Sequence, residues 1–247
     1  MKTDKLHIAD LVLYHLKKHR TAAIVLAAGS STRMGGINKQ LEPLFGVPVL
    51  AYTLMAYQKC KLISEIVVVT RPEDFNAVRA IAKKYNISKL TQITEGGKTR
   101  QESAKCGMRV LDSKIRYVAI ADGARCLTTP ADIAKVCLRA YRYQAASAAH
   151  AISDTVKRTN SVGMSRETID RKNLWQAQTP QVFHTALYTA ALYQADKDEF
   201  SVTDDNSLIE HLGYAVRMVE CGMQNIKITT KDDLALAEAI LRYRRMK

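Results

Sequence analysis

Short apolar runs alternate with amphipathic stretches through the first 150 or so residues. Apolar runs bounded by polar residues predict buried strands, and apolar positions at helical spacing predict helices. The predicted strands are Ala22–Ala27, Ile66–Thr70, Leu90–Thr94, Tyr117–Ala121 and Ala146–Ile152. The predicted helices are Val49–Lys59, Glu73–Tyr85, Thr99–Val110 and Pro130 to about Tyr143. This alternation predicts an α/β fold with a mostly parallel sheet flanked by helices.

The alternation stops after Ile152 and returns near the end of the chain. Residues 154–181 are polar and charged with little periodicity, which is typical of a solvated excursion. The other interpretation is a protruding arm that packs on a second subunit, since Leu174 and Trp175 would be poorly buried on a lone projection. Alternation resumes in the segments 215–219 and 225–229, and a final helix is predicted from Lys231 to about Tyr243. We therefore expect one domain over residues 21–247 with an arm over about 153–178.

The first 20 residues form a separate extension ahead of the first strand. Ile8, Leu11, Val12 and Leu16 follow a helical spacing, so we predict an amphipathic helix. The extension has no long apolar core before a small-residue cleavage site, which argues against a secretory signal. Its function does not follow from the sequence.

Length, composition and cysteine content narrow the class of protein. A chain of 247 residues with 47% hydrophobic residues can bury a full core. Its apolar runs are too short to span a membrane, so we expect no membrane partner. The five cysteines are an odd number without CxxC spacing, which argues against a disulfide framework or a zinc site and predicts a reducing cytoplasm.

The formal net charge of +13 has two interpretations, a nucleic-acid surface or polyanionic substrates. Lysine and arginine are spread along the chain, and the short clusters at 17–20 and 242–247 are both near the termini. No aromatic interleaving or nucleic-acid motif accompanies them. We therefore predict small anionic substrates and no nucleic acid.

The loop after the first strand has a composition suited to phosphate. It contains Ala27, Ala28 and Gly29, followed by Arg33 and Lys39. Small residues let backbone N–H groups approach phosphate oxygens, and the two cations add fixed positive charge beside them. The loop is neither a P-loop nor a Gly-x-Gly-x-x-Gly motif, and a plain strand-to-helix turn is the alternative.

Two further loops are predicted at the same edge of the sheet. The residues Gly96 to Arg100 follow the third strand, and Asp122 and Gly123 follow the fourth. Ligands of parallel α/β sheets bind beyond the carboxyl ends of the strands. The three loops together therefore predict a nucleotide site at this edge.

These segments resemble those of the 2-C-methyl-D-erythritol 4-phosphate cytidylyltransferases. The first loop is similar to that family's nucleotide loop, Gly96-Gly97 with Arg100 and Ser103 to its second nucleotide segment, and Asp122-Gly123-Ala124-Arg125 to its acidic motif. Five more segments follow in the family's order, at 154–158, 171–175, 178–181, 203–204 and 225–229. The resemblance extends from about Ala22 to Leu241. The sister family of ribitol- or alditol-phosphate cytidylyltransferases shares most of these motifs, but Leu174-Trp175 after Arg171 is more similar to the methylerythritol enzymes.

The resemblance implies a Rossmann-like nucleotidyltransferase with a dimerisation arm, acting as a homodimer. The implied reaction joins CTP and 2-C-methyl-D-erythritol 4-phosphate into 4-diphosphocytidyl-2-C-methyl-D-erythritol and pyrophosphate, a step of non-mevalonate isoprenoid precursor synthesis. Mg²⁺ would be held mainly by phosphates and water, without a dedicated protein metal site.

The resemblance also assigns roles to individual residues. The catalytic cations would be Arg33, Lys39 and Lys227. The acceptor would be bound by Asp122 and, from the neighbouring subunit's arm, by Thr155 and Arg171. The residues implied to bind the nucleotide are Ala27, Ala28, Gly29, Gly96, Gly97, Arg100, Ser103, Asp122 and Gly123.

The chain departs from the family's usual pattern at four positions near these motifs. Asn38 stands where a proline is usual, Ala121 replaces a histidine, Cys126 replaces a proline, and Gln224 replaces a common acidic residue. Two alternatives therefore stay open. One is a cytidylyltransferase for ribitol phosphate or another polyol phosphate, and the other is a nucleotide-binding regulatory homologue with weak catalysis.

Overall fold

The structure is a computed structural model that describes residues 19–29 and 38–246. Most of the predicted N-terminal helix and the loop residues 30–37, with Arg33 among them, lie outside the described residues.

The described strands agree with most of the predicted ones and add several more. In chain order they are β1 (Thr21–Leu26), β2 (Pro43–Leu44), β3 (Val47–Pro48), β4 (Ile63–Thr70), β5 (Leu90–Glu95), β6 (Tyr117–Asp122), β7 (Ala145–Ala151), β8 (Val156–Thr159), β9 (Ser165–Ile169), β10 (Trp175–His184) and β11 (Arg217–Glu220). Seven of them form one sheet in the order β11-β7-β10-β6-β1-β4-β5. All neighbours in it are parallel except β10, which is antiparallel to both β6 and β7. The mostly parallel sheet is confirmed.

Seven α-helices are described in this part of the chain. They are α1 (Val49–Lys59), α2 (Phe75–Lys84), α3 (Arg100–Arg109), α4 (Pro130–Tyr143), α5 (Thr185–Lys197), α6 (Asn206–His211) and α7 (Lys231–Arg245). The helices α1, α2 and α4 bury their apolar positions against one face of the sheet, and α3, α5 and α6 pack on the other. A smaller apolar cluster joins α7 to the start of α1 and the loop after β6. Because helices cover both faces of the sheet, every residue of the parallel strand β1 is buried.

Threonine caps fix the start of three helices. Thr99, Thr129 and Thr230 each form a capping box with the acidic residue three positions later. A capping box satisfies two N–H groups that the first turn of a helix would otherwise leave unpaired. The cap at Thr99 is directly relevant to function, because α3 then begins at Arg100.

The region after Ile152 differs from the prediction. The segment 154–181 ends in a strand that the sequence pattern does not predict, because residues 175–184 form β10 near the middle of the sheet. The helices α5 and α6 were not predicted. The expected strand at 225–229 is wrong: this segment has no regular structure, and it crosses the loop after β6, with the Ile228 N–H donating to the Ala124 carbonyl oxygen (2.9 Å).

The predicted arm contains a separate hairpin. Its strands β8 and β9 are antiparallel, and β7 and the start of β10 pair as its stem. All residues from 155 to 177 are at least partly exposed, including Val162 (78%) and Met164 (64%). Such apolar exposure is typical of a surface that packs against another chain. Among the residues described here, no helix combines the length and apolar character needed to cross a membrane.

Candidate functional site

A cavity of about 340 Å³ lies at the carboxyl ends of β1 and β6, beside the turn that precedes α3. Many of the predicted site residues share its wall, although they are far apart in sequence. The lining residues are Leu26, Ala28, Gly29, Lys39, Gln40, Gly97, Lys98, Thr99, Arg100, Ser103, Asp122, Ala124 and Lys227. The cavity therefore brings together three loops and the segment before α7.

Other predicted residues support this wall from behind. The N–H groups of Ala27, Gly96 and Gly123 donate to carbonyl oxygens of neighbouring strand ends, at 2.7, 3.1 and 2.8 Å. Thr155 and Arg171 do not line the cavity. Both are exposed in the arm, where Arg171 Nη1 donates to the Ser153 carbonyl oxygen.

Two of these turns have little room for a side chain because neighbouring segments approach them closely. A Cβ atom at Gly96 would lie 2.5 Å from the Ala28 Cβ atom and 2.9 Å from Ser103 Oγ. A Cβ atom at Gly123 would lie 2.7 Å from Gln40 Oε1 and 3.1 Å from the Leu26 carbonyl oxygen. At Gly96 the clash is with a Cβ atom that cannot move without its backbone, so a side chain there would displace the loop after β1. At Gly123 a side chain would displace the end of the Gln40 side chain and crowd the Leu26 carbonyl oxygen.

Asp122 is the electrostatic centre of the cavity. Its Oδ2 atom lies 3.0 Å from Lys227 Nζ and 3.3 Å from Arg125 Nε, and its Oδ1 atom lies 3.7 Å from Arg100 Nε. Burial by itself raises the pKa of the carboxyl, but the charges of Lys227, Arg100 and Arg125 outweigh it and lower the pKa to about 2. Asp122 is therefore ionised at neutral pH, so it cannot serve as a general acid there.

Arg100 links Asp122 to a second, fully buried carboxylate. Arg100 Nη1 donates to Asp205 Oδ2 at 2.5 Å. Burial lowers the pKa of the guanidinium, but the charges of Asp205 and Asp122 outweigh it and raise the pKa above its usual value. Sequence reasoning did not single out Asp205, although its position in the acidic pair 204–205 just before α6 was a usable signal.

The position of Lys227 depends on a buried asparagine two residues before it. Asn225 Nδ2 donates to the Thr179 carbonyl oxygen (2.9 Å), and Asn225 Oδ1 accepts from Thr128 Oγ1 (2.8 Å). Arg125 Nη1 donates to the Asn225 carbonyl oxygen (2.6 Å). These bonds hold an irregular segment in place, which explains how Lys227 reaches the cavity without a strand.

The Asn38 side chain helps to hold the turn that carries Lys39. Asn38 Nδ2 donates to Asp74 Oδ1 (2.9 Å), and Asn38 Oδ1 accepts from the Gln40 N–H (3.1 Å). Asp74 is itself bound by Arg71 Nε at 2.9 Å. The residue before Lys39 thus ties the loop to the turn that precedes α2.

Replacing Asn38 with alanine is expected to lower kcat/KM about tenfold for the nucleotide that the sequence predicts, because small displacements of a positioned charge are costly. Steady-state kinetics measure this. Asn76→Ala is the matched control, since Asn76 bonds Arg79 in an exposed contact on α2 (3.1 Å). Equal kcat/KM values in the two variants would contradict a positioning role for Asn38.

The side chains of the cavity suit a metal ion that is bound mainly by the phosphates of a nucleotide and by water. Among the described residues no group of three or more His, Cys, Asp or Glu side chains could hold a metal. Asp122 is the acidic residue among those that line the cavity. Mg²⁺ in nucleotide sites takes most of its ligands from phosphate and water and one or two from carboxylates, so the cavity fits it.

Comparison with known proteins identifies the family. The model of the family IspD, 2-C-methyl-D-erythritol 4-phosphate cytidylyltransferase, matches residues 21–243. The chain belongs to this family. The IspD match includes all the loops around the cavity and the arm.

Individual relatives agree with the match to IspD. The 2-C-methyl-D-erythritol 4-phosphate cytidylyltransferase of Syntrophus aciditrophicus is 43% identical over 227 residues, which are 91% of this chain and 97% of that relative. The crystal structure of 4-diphosphocytidyl-2C-methyl-D-erythritol synthase from Anaerococcus prevotii has a TM-score of 0.82 at 29% identity and covers 96% of this chain and 100% of its own. The 2-C-methyl-D-erythritol 4-phosphate cytidylyltransferase structure from Thermus thermophilus has a TM-score of 0.75 at 28% identity, covering 90% and 98%. The nucleotidyltransferase fold expected from the sequence is confirmed.

Proposed function

We propose that this protein transfers the cytidylyl group of CTP to 2-C-methyl-D-erythritol 4-phosphate, forming 4-diphosphocytidyl-2-C-methyl-D-erythritol and pyrophosphate. The observation that carries the proposal is the convergence of Lys39, Lys227 and Arg100 with the glycine turns in one cavity of an IspD-family chain. Such a cavity provides both a backbone cradle for phosphate and fixed positive charge.

The reaction is an in-line displacement at the α-phosphorus of CTP. A phosphate oxygen of the acceptor forms the new P–O bond, and the bond between the α-phosphorus and the bridging oxygen breaks, so pyrophosphate leaves with that electron pair. Both reactants are polyanions, so positioning and preset positive charge are the main means of catalysis. In our proposal Lys39, with Arg33 from the loop outside the described residues, stabilises the triphosphate and Lys227 the α-phosphate. Mg²⁺ bound to the phosphates, with Asp122 nearby, would neutralise further charge.

The nucleoside part of CTP is assigned to the wall formed by the turn before α3. Ser103 Oγ accepts from the Gly97 N–H at 3.2 Å and donates to the Thr99 carbonyl oxygen at 2.9 Å, which fixes the turn. Base and ribose would lie against Ala28, Gly29 and this turn.

The acceptor is assigned to Asp122 and to the arm of a second subunit. The exposed apolar residues of the arm support a homodimer, in which Thr155 and Arg171 of each chain serve the partner's cavity. A planar guanidinium suits a phosphate because it binds it bidentately.

Arg171→Ala is expected to raise KM for the acceptor about 10–100-fold, the cost of one charge-assisted contact, and to leave KM for CTP unchanged. Arg166→Ala, an exposed arginine of the same arm, is the control. An unchanged acceptor KM in the Arg171 variant would remove Arg171 from the acceptor site.

The reaction is tested by pyrophosphate release with CTP, Mg²⁺ and a panel of 2-C-methyl-D-erythritol, ribitol and glycerol phosphates. We expect turnover with the methylerythritol ester at a kcat/KM well above that of the others. Preference for ribitol phosphate would favour the sister activity. Stabilisation by CTP with no turnover on any acceptor would favour a nucleotide-binding regulator.

A further inference from the structure

A buried carboxylate that does not line the cavity contacts one of the cavity's cations. Asp205 is fully buried. Its Oδ2 atom accepts from Arg100 Nη1 at 2.5 Å and its Oδ1 atom accepts from Tyr188 Oη at 2.5 Å, while its backbone N–H donates to Gln181 Oε1 at 2.9 Å. Hydrogen bonds therefore hold both carboxylate oxygens and the backbone N–H of Asp205 in place.

This arrangement fixes the orientation of the Arg100 guanidinium. The Nη1 end lies on Asp205, and the Nε atom faces Asp122 Oδ1 at 3.7 Å. Arginine has a planar fork of donors, so holding one edge determines where the rest of the group points. Because Asp205 holds one edge, Arg100 stays in the cavity wall instead of closing fully onto Asp122.

The elements around Asp205 make its position rigid. Tyr188 is fully buried on α5 and stacks on Phe183 of β10, with ring centroids 5.1 Å apart. Gln181 of β10 is also buried, and its Nε2 atom donates to Asp204 Oδ2 at 3.1 Å. The antiparallel strand β10 and the helices α5 and α6 thus meet at Asp205.

We propose that Asp205 is a positioning residue for the nucleotide, acting through Arg100. The inference rests on the proposed function, because it takes CTP as the ligand of the cavity. In this view the buried ion pair presents the guanidinium to the nucleotide in a preorganised position, and its loss weakens CTP binding more than it slows the chemical step.

A double-mutant cycle between Asp205→Asn and Arg100→Gln tests the proposal. The Kd for CTP is measured by titration calorimetry, which needs no turnover. We expect Asp205→Asn to raise this Kd about tenfold, as the loss of a charge-assisted contact would. In the Arg100→Gln background the same substitution should change the Kd less than twofold, since its partner is already absent.

The matched control is Asp204→Asn. It removes the same charge one residue away, and Asp204 also bonds Gln181 but not Arg100. We expect its Kd for CTP to stay within twofold of the parent. A purely structural role for Asp205 would give independent effects, so a Kd in the double variant equal to the product of the single effects would overturn the proposal. A Kd within twofold of the parent in Asp205→Asn would do the same.

Tyr188→Phe keeps the test decisive if Asp205→Asn does not fold. It removes the hydroxyl donor to Asp205 and retains the ring stacked on Phe183. We expect it to raise the Kd about threefold with Arg100 present and not at all in the Arg100→Gln background. Equal effects in both backgrounds would overturn the proposal. Tight CTP binding by the parent without pyrophosphate release would contradict the transfer reaction and leave the role of Asp205 intact.

Discussion

Replacing Lys227 with alanine is expected to lower kcat about 10²–10³-fold, the usual cost of removing one donor that stabilises charge in a transition state. Lys227 Nζ lies in the cavity at 3.0 Å from Asp122 Oδ2, on a side chain that is one-third exposed. In the proposed reaction the triphosphate of CTP would compete with Asp122 for this ammonium. The new contact is strongest as charge develops on the α-phosphate, so kcat should fall with kcat/KM.

Lys231→Ala is the matched control for this prediction. Lys231 is an exposed lysine four residues further on, at the start of α7, and its removal changes the net charge equally. Initial rates of pyrophosphate release at saturating CTP and acceptor give kcat for both variants. A Lys227→Ala enzyme within a few fold of the parent would show that the ammonium does not act on the reacting phosphate.

The α/β core could be predicted from the sequence because its signals are local. The run in β1 is buried at every position, which an apolar run between polar residues predicts directly. The loops that carry Lys39 and Arg100 follow β1 and β5, and Asp122 ends β6. Because these strands are parallel, the sequence also predicts that the three residues meet at one edge of the sheet. Once the parallel sheet is predicted, the meeting of these charged residues in one site is predicted with it.

The regions that were not predicted carry buried polar side chains. Gln178, Thr179 and Gln181 are each at most 4% exposed, yet by type they predict a solvated loop. They are buried because they bond across the site: the Asp122 N–H donates to Thr179 Oγ1 at 3.0 Å, and Asn225 Nδ2 reaches Gln178 Oε1 at 3.2 Å. These hydrogen-bond partners lie tens of residues away in the sequence, so a pattern in a short stretch of sequence does not reveal them. In α5 the apolar spacing of Tyr188, Leu192 and Ala195 was a readable helical signal.

Two buried carboxylates, Asp122 and Asp205, hold the cationic side chains of the site together. Lys227, Arg125 and Arg100 all surround Asp122 and would repel one another if no anion lay between them. Asp122 and Asp205 supply that charge, at contact distances of 2.5–3.7 Å. In our proposal the triphosphate then binds cations that are already assembled, so little reorganisation is needed on binding.

Replacing Asp122 with asparagine is accordingly expected to lower the free energy of unfolding at pH 7 by about 3–5 kcal/mol, because it leaves three cations without their shared partner. The pKa of about 2 means that the folded state holds this carboxyl ionised more strongly than the unfolded chain does. The ionised carboxyl therefore contributes stability above its unfolded pKa, which is lost as the pH falls towards 2. The shift accounts for on the order of 2 kcal/mol of the total, and the remainder is the repulsion left behind.

Denaturant unfolding of the parent and of Asp122→Asn from pH 7 down to pH 2 measures this difference. We expect the gap in free energy to be constant down to about pH 4 and to narrow below it, because the parent's carboxyl then binds a proton in the unfolded chain before it does so in the folded protein. Asp112→Asn is the control. Asp112 pairs with Arg20 at 3.5 Å on the surface, where exposed ion pairs contribute little, so the unfolding midpoint of this variant should match the parent's at neutral pH.

CTP should restore part of the stability of Asp122→Asn, since its phosphates supply the missing negative charge. An Asp122→Asn protein as stable as the parent at pH 7, or a gap that does not change with pH, would mean that the fold alone, and not this carboxylate, keeps the cations together.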